Sequence, residues 1–178
     1  MGWKTLKNAF SITHTVCVTD KGICIGSGYI SNLATINIST GAMVMSEASP
    51  GFIQRTYPAL ASATPSDLLA LISAEDQFDN AVTVYTYIDG KIVEKLCECA
   101  GYPNVTHDGE LMYENAFSTD KNEVIGWCKS NAHAKVEFLK EHIARLQQQL
   151  ADTEQELTSA QRKTRRLEKD YPSVSAMG

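Results

Sequence analysis

Ten positions near the end of the chain constrain its fold more than any other feature. Val136, Leu139, Ile143, Leu146, Leu150, Thr153, Leu157, Ala160, Thr164 and Leu167 follow a strict 3-4-3-4 spacing. That is a mostly apolar a/d seam over five heptads, the pattern of a helix that lies along another helix. A chain of 178 residues has room for one globular domain plus such an extension. A domain of that size cannot cover so long a stripe by itself. The expectation is an oligomer, with Val136, Leu139, Ile143, Leu146 and Leu150 as the interface. Thr153, Ala160 and Thr164 weaken the distal seam, which reads as a less essential extension. A parallel dimer, an antiparallel helix pair and packing on a neighbouring subunit's sheet all fit this pattern. Lys163 to Glu168 is the one favourable parallel pair, and Lys135 to Lys140 would repel.

Charge separates the two parts. Residues 1–119 carry six Lys/Arg against twelve Asp/Glu, and residues 120–178 carry ten against nine. An acidic front part argues against a DNA or RNA groove, which needs clustered cations. The basic cluster at Arg162, Lys163, Arg165 and Arg166 fits solvated cations near a helix C-terminus. Five cysteines, an odd number with no C-x-x-C spacing, fit a reduced cytoplasmic compartment. Cys97 and Cys99, on a strand, would share one face, but no further ligands complete a metal site. No cofactor, no membrane span and no signal peptide are expected. Met1-Gly2 begins like a myristoylation start, but Leu6 stands where Ser or Thr is required. The sequons at Asn37 and Asn104 are chance matches in such a compartment.

The fold class is α+β, an N-terminal antiparallel meander with one short helix, then a long C-terminal helix with coiled-coil heptads. Alternation from Phe10 to Val18 predicts the first strand, and Ile23–Ile25 its return, interrupted by a bulge at Gly26-Ser27-Gly28. Ala34–Ile38 and Met43–Met45 follow, then a loop over 46–63. Thr64-Pro65-Ser66-Asp67 starts a short helix, with Thr64 as cap and Pro65 at the first position. Val82–Ile88 and the segment from Ile92 to Leu96 form a hairpin about Asp89-Gly90. Leu111–Tyr113 makes a last short strand. Ser118-Thr119-Asp120 caps the long helix, with Glu123 as partner of Asp120. The domains divide as a sheet domain over 1–119, an oligomerising helix over 120–170 and a flexible tail over 171–178.

Catalytic constellations are absent. Gly26-Ser27-Gly28 is not a nucleophile elbow, and the chain has no Walker loop and no dinucleotide fingerprint. His14 alternates with apolar residues and reads as a hydrogen-bonded core histidine. His133 and His142 read as surface residues of the helix. The expected activity is binding rather than catalysis. The segment from Tyr102 to Phe117 gathers Asn104, His107, Asp108, Tyr113, Asn115 and Phe117. Aromatic faces suit stacking on a base and amides suit reading its edge. Arg55 is the phosphate ligand by elimination, and Tyr57 is a further stacking candidate. The same residues also serve as ordinary core, turn and surface positions, and the residue types alone leave both readings open.

Two stretches carry a resemblance. Tyr102-Pro-Asn-Val-Thr-His-Asp-Gly-Glu-Leu-Met-Tyr-Glu-Asn-Ala-Phe-Ser118, with Ile23-Cys-Ile-Gly-Ser-Gly-Tyr-Ile30, resembles the phage anti-Thoeris sponge proteins. The resemblance covers about residues 5–145. It implies an oligomer that sequesters a nucleotide-derived immune signal, a cyclic ADP-ribose isomer or a cyclic oligonucleotide, without turnover, in the host cytoplasm. It carries over only Arg55, for phosphate contact. The alternative is an adaptor whose coiled coil recruits a partner.

Overall fold

The computed structural model describes residues 1–26, 32–48 and 50–172. The Ser27-Gly28 part of the expected bulge and the tail beyond Pro172 lie outside the described residues. The chain divides into two compact units, Met1–Cys128 and Lys129–Gly178.

The first unit opens with a helix ahead of the expected strand, in a stretch to which the sequence assigned no element. Helix α1 spans Trp3–Ala9 and buries Trp3 and Leu6. Gly2 offers no side-chain cap. Asp76 does that work instead, accepting from the Lys4 and Thr5 backbone N–H groups at 3.1 and 2.7 Å and from the Thr5 hydroxyl. At its other end Ser11 takes φ 49°, Ile12 N–H reaches Lys7 O at 2.8 Å and Ser11 N–H reaches Asn8 O. These are the two bonds of a Schellman closure. Phe10 to His14 therefore turns the chain, and strand β1 is shortened to Thr15–Thr19.

Strands β1, β2 (Gly22–Gly26), β3 (Ala34–Ile36) and β4 (Met43–Met45) form one antiparallel meander in that order. The register sets Val16 opposite Ile25, Val18 opposite Ile23 and Ile23 opposite Ile36. One face thus carries the aliphatic side chains of the main core, with Leu6, Ile12, Leu33, Leu60, Leu68 and Ile72 packed into the same cluster.

The expected loop over 46–63 holds two short helices, α2 (Phe52–Thr56) and α3 (Pro58–Ala61). Gly51 starts α2 in the left-handed region at φ 71°, and Pro58 sits at the first position of α3. Ile53, Tyr57 and Leu60 are the buried residues that hold this segment to the core. Helix α4 (Pro65–Ser73) has the cap read from the sequence. Thr64 and Asp67 form a reciprocal capping box, and Leu68 and Ile72 are buried.

Strands β5 (Val82–Ile88) and β6 (Lys91–Cys97) pair about Asp89-Gly90, at φ 51° and 78°. Two successive positive φ values are what a type I′ hairpin turn requires. Strands β7 (Asn104–Val105) and β8 (Leu111–Met112) make a second small hairpin, preceded by a cis Tyr102–Pro103 bond. Val84, Cys97, Met112 and Phe117 form a second, smaller core.

Helix α5 spans Lys121–Asp170. Its start is held by Asp120 accepting from Asn122 N–H at 2.8 Å. Glu123 does reach back, but it accepts from the Ser118 hydroxyl at 2.5 Å, and Ser118 Oγ accepts from Asp120 N–H. Val124 is fully buried and belongs to the first unit. At about 1.5 Å per residue α5 is roughly 75 Å long. No helix among the described residues is long and apolar enough to cross a membrane.

Candidate functional site

The residues expected to bind a ligand fall into two groups. Tyr57 belongs to the main core and Phe117 to the second one. Both are corrections to the stacking role, because their rings are already spent. Tyr57 is 6% exposed, and its hydroxyl accepts from the Thr13 and His14 backbone N–H groups. The same hydroxyl bonds Thr13 Oγ1 at 3.0 Å and His14 Nδ1 at 2.5 Å. His14 stands edge-on to both Phe52 and Tyr57. It is hydrogen-bonded as expected, but it is half-buried just before β1 rather than a core residue. Phe117 is 2% exposed, and its carbonyl accepts from the Tyr102 hydroxyl at 2.5 Å. Burial of an aromatic ring removes the face a base would stack on.

Asn104 is committed as well. Its Nδ2 donates to Cys99 O and, at 3.2 Å, contacts Cys99 Sγ. It closes the turn between β6 and β7. The two cysteines of the C-x-C pair do not share a face. Strand β6 ends at Cys97, which is buried with its thiol turned to Cys99 O and Val82 O, whereas Cys99 is exposed. Burial pushes the Cys97 thiol up. All five cysteines are free thiols. Among the described residues no three His, Cys, Asp or Glu side chains are grouped to hold a metal ion.

His107 anchors an arrangement that the sequence did not reveal. Its ring lies on Phe78, which in turn packs 6.0 Å from Trp3. Trp3 Nε1 donates to His107 O at 3.2 Å, and His107 N–H donates to Leu96 O at 2.8 Å. Lys4 Nζ stands 5.1 Å from the Phe78 centroid and pairs with Glu98 at 2.5 Å. Burial would raise the Glu98 carboxyl, but the bonds from Lys4 and Asp79 N–H outweigh it and hold it below its ordinary value. Gly109 makes the packing possible. At φ 93° it closes the β7–β8 turn, and a Cβ there would lie 2.2 Å from Val18 Cγ2. Lys95 of β6, mostly buried, pairs with Asp108 of the same turn at 2.7 Å and with Glu110. These are structural pairs, since each ion's partner is protein.

Three of the expected residues remain displayed. Tyr113 is 53% exposed, and its carbonyl accepts from the Ala116 and Phe117 N–H groups, making a turn that hooks Phe117 inward and leaves Asn115 outside. Arg55 is exposed on α2, and its Nη1 makes one long bond, 3.4 Å, to Pro50 O. A guanidinium so loosely held keeps most of its donors for an anion.

On α5, the positions expected as interface are all displayed. Val136, Leu139, Ile143, Leu146 and Leu150 are 48, 43, 54, 49 and 60% exposed, and Leu157 and Leu167 are 57 and 60% exposed. His133 is exposed and His142 half-buried, accepting from Arg145 at 2.6 Å. Two grooves on α5 are walled by that helix alone, one between Ala151 and Arg162 and one between Phe138 and Arg145. A depression with a single wall encloses no ligand.

No family model matches the chain, and no curated protein or solved structure does.

Proposed function

We propose that the chain is a non-enzymatic binding protein, assembled through α5, that sequesters a nucleotide-derived anionic signal. The observation that carries the assembly is the seam itself. Seven large aliphatic side chains on one helix face stand at 43% exposure or more, an apolar stripe that a lone subunit leaves in water. The ligand reading rests on Arg55, Tyr113 and Asn115, a loosely held guanidinium with an exposed aromatic and an exposed amide. It rests also on the resemblance of Ile23–Ile30 and Tyr102–Ser118 to the anti-Thoeris sponge proteins, which makes a cyclic ADP-ribose isomer or a cyclic oligonucleotide the ligand. Inhibition of a bacterial anti-phage defence in the host cytoplasm then follows from tight binding without turnover.

The length of the stripe favours a second reading, an adaptor. The apolar positions continue past Leu150 to Leu157 and Leu167, a stripe that a helix of a different protein fits as well as a second copy.

One incubation separates the two. Purified protein is mixed with cyclic ADP-ribose isomers and cyclic oligonucleotides, separated from free ligand, then heat-denatured. Intact ligand in the released fraction is the expected result, and Arg55→Ala should reduce it while leaving the assembly unchanged. A converted ligand would establish an enzyme. No depletion of any candidate would leave the adaptor reading.

A further inference from the structure

We infer that the seam of α5 is covered by α5 of a second copy running antiparallel, in the register that sets Leu146 against the partner's Leu157. This inference rests on the proposed self-assembly and specifies its geometry.

Side-chain size is the first argument. A parallel, in-register pair stacks each seam residue on its own copy. Thr153 would meet the partner's Thr153, Ala160 the partner's Ala160 and Thr164 the partner's Thr164. Those layers would be underfilled, and underfilled layers do not specify a pair. The antiparallel register removes every one of them. Leu150 meets the partner's Thr153, Ile143 the partner's Ala160, Leu139 the partner's Thr164 and Val136 the partner's Leu167. Each small residue then faces a large one, and two-fold symmetry repeats the set so that all ten seam positions are used.

The seam threonines are suited to burial. Thr153 Oγ1 donates to Gln149 O at 2.8 Å and Thr164 Oγ1 to Ala160 O at 3.1 Å. Their hydroxyl protons are satisfied within α5, so covering them orphans no donor. What such a threonine offers a partner is its methyl group.

Flanking charge is the second argument. The parallel pair places Lys135 beside the partner's Lys140, which cancels the gain from Lys163 beside the partner's Glu168. The antiparallel register places Lys135 beside the partner's Asp170, twice by symmetry. Around it stand Gln147 with the partner's Glu154, Gln149 with the partner's Glu156, Lys140 with the partner's Gln161, His133 with the partner's Glu168 and His142 with the partner's Lys163. Two lysines never meet. Sliding by one heptad in one direction puts Lys135 against the partner's Lys163 and leaves Leu167 uncovered; in the other it sets Glu154 and Glu156 against their own copies and leaves Val136 and Leu139 beyond the end of the partner's α5. Sliding by two in the first direction leaves Leu157 and Leu167 uncovered.

Cysteine cross-linking tests the register in the full-length chain, with the accessible thiols removed by Cys99→Ser and Cys128→Ser. Leu146→Cys, Leu157→Cys and the double variant are oxidised with copper phenanthroline and run on a non-reducing gel, beside light scattering of each uncrosslinked protein. The inference expects dimers by scattering throughout, a covalent dimer from the double variant and none from either single variant. Covalent dimers from the single variants would overturn the antiparallel register and leave self-assembly standing. No covalent dimer from a double variant that scatters as a dimer would overturn the register. If the Cys99→Ser, Cys128→Ser parent scatters as a monomer at micromolar concentration, self-assembly itself fails.

Discussion

The imidazole of His107 lies flat on the ring of Phe78, centroids 3.8 Å apart and planes 7° from parallel, and its buried Nε2 has no hydrogen-bond partner among the described residues. A nitrogen enclosed in that way adds desolvation cost and returns no bond. His107→Phe keeps the stacked shape and removes the orphan, so it should be neutral or stabilising by up to about 1 kcal/mol. His107→Ala should cost about 2–4 kcal/mol through the lost stack. Urea unfolding of both variants reads the difference. Equal losses would show that Nε2 is satisfied in solution.

Tyr57 offers a contrasting case, because its polar atom is fully used. Tyr57→Phe deletes a hydroxyl bound to Thr13 and His14 and strands their partners. The expected cost is about 1–3 kcal/mol. Ligand capture by the surviving folded protein should be unchanged, as a buried ring touches no ligand. Loss of capture at full stability would return Tyr57 to the site.

The Lys95 cluster makes stability depend on acid. Burial would raise the Asp108 carboxyl, but Lys95 and the Thr106 hydroxyl hold it below its ordinary value. Glu98 behaves alike through Lys4. A carboxyl lowered in the folded state contributes above its unfolded pKa and loses that contribution as pH falls through the folded one. Unfolding free energy should therefore drop as pH falls below the ordinary carboxylate range. Asp108 is 61% exposed at its side chain, so its own share is under about 1 kcal/mol. Lys95→Met should flatten the profile. An unchanged slope in that variant would mean the pair is open in solution.

Thiol reactivity should divide the cysteines cleanly. Burial, then the neighbouring Cys24, raises the Cys17 thiol, and Cys24 and Cys97 are buried as well. Ellman's reagent should titrate Cys99 and Cys128 in the native protein and the other three only after denaturation. Rapid labelling of Cys17 or Cys24 would reveal that the meander opens.

Ala160→Ile distinguishes the two helix orientations by the sign of its effect. Opposite the partner's Ile143 the added bulk overpacks a filled layer and should weaken association by about 1–3 kcal/mol. In a parallel pair the same change fills an empty layer and strengthens it. Dilution-dependent light scattering gives the sign.

The elements legible in the sequence were those whose signals are local. Asp89-Gly90 supplies both positive φ values of its turn, and Thr64 and Asp67 cap α4 from three residues apart. Helix α1 was hidden because its cap comes from Asp76, which only the folded chain brings near, and because its closure uses Ser11 at a positive φ rather than a glycine. Helix α2 starts from Gly51, a residue that reads equally well as loop. Within the candidate site, residue type suggested aromatic platforms but not which face each ring would turn. Tyr57 and Phe117 turned inward, whereas Tyr113 turned out. The Phe78–His107 stack joins residues from distant segments, and no spacing rule announces it.

The backbone bridges that flank the sheets carry one more consequence. Tyr85 exchanges both main-chain bonds with Ser118 along the outer side of β5. On the far side of the same hairpin Cys97 is bridged to Thr106, and Leu96 O accepts from His107. Val18 N–H, on the margin of the meander, is likewise taken by Gly109 O. Each is a single clasp, but each occupies a rim where a stray strand would dock. At high protein concentration an open rim is a route to edge-to-edge fibrils. These rims are closed to a stray strand, while the apolar stripe of α5 stays bare.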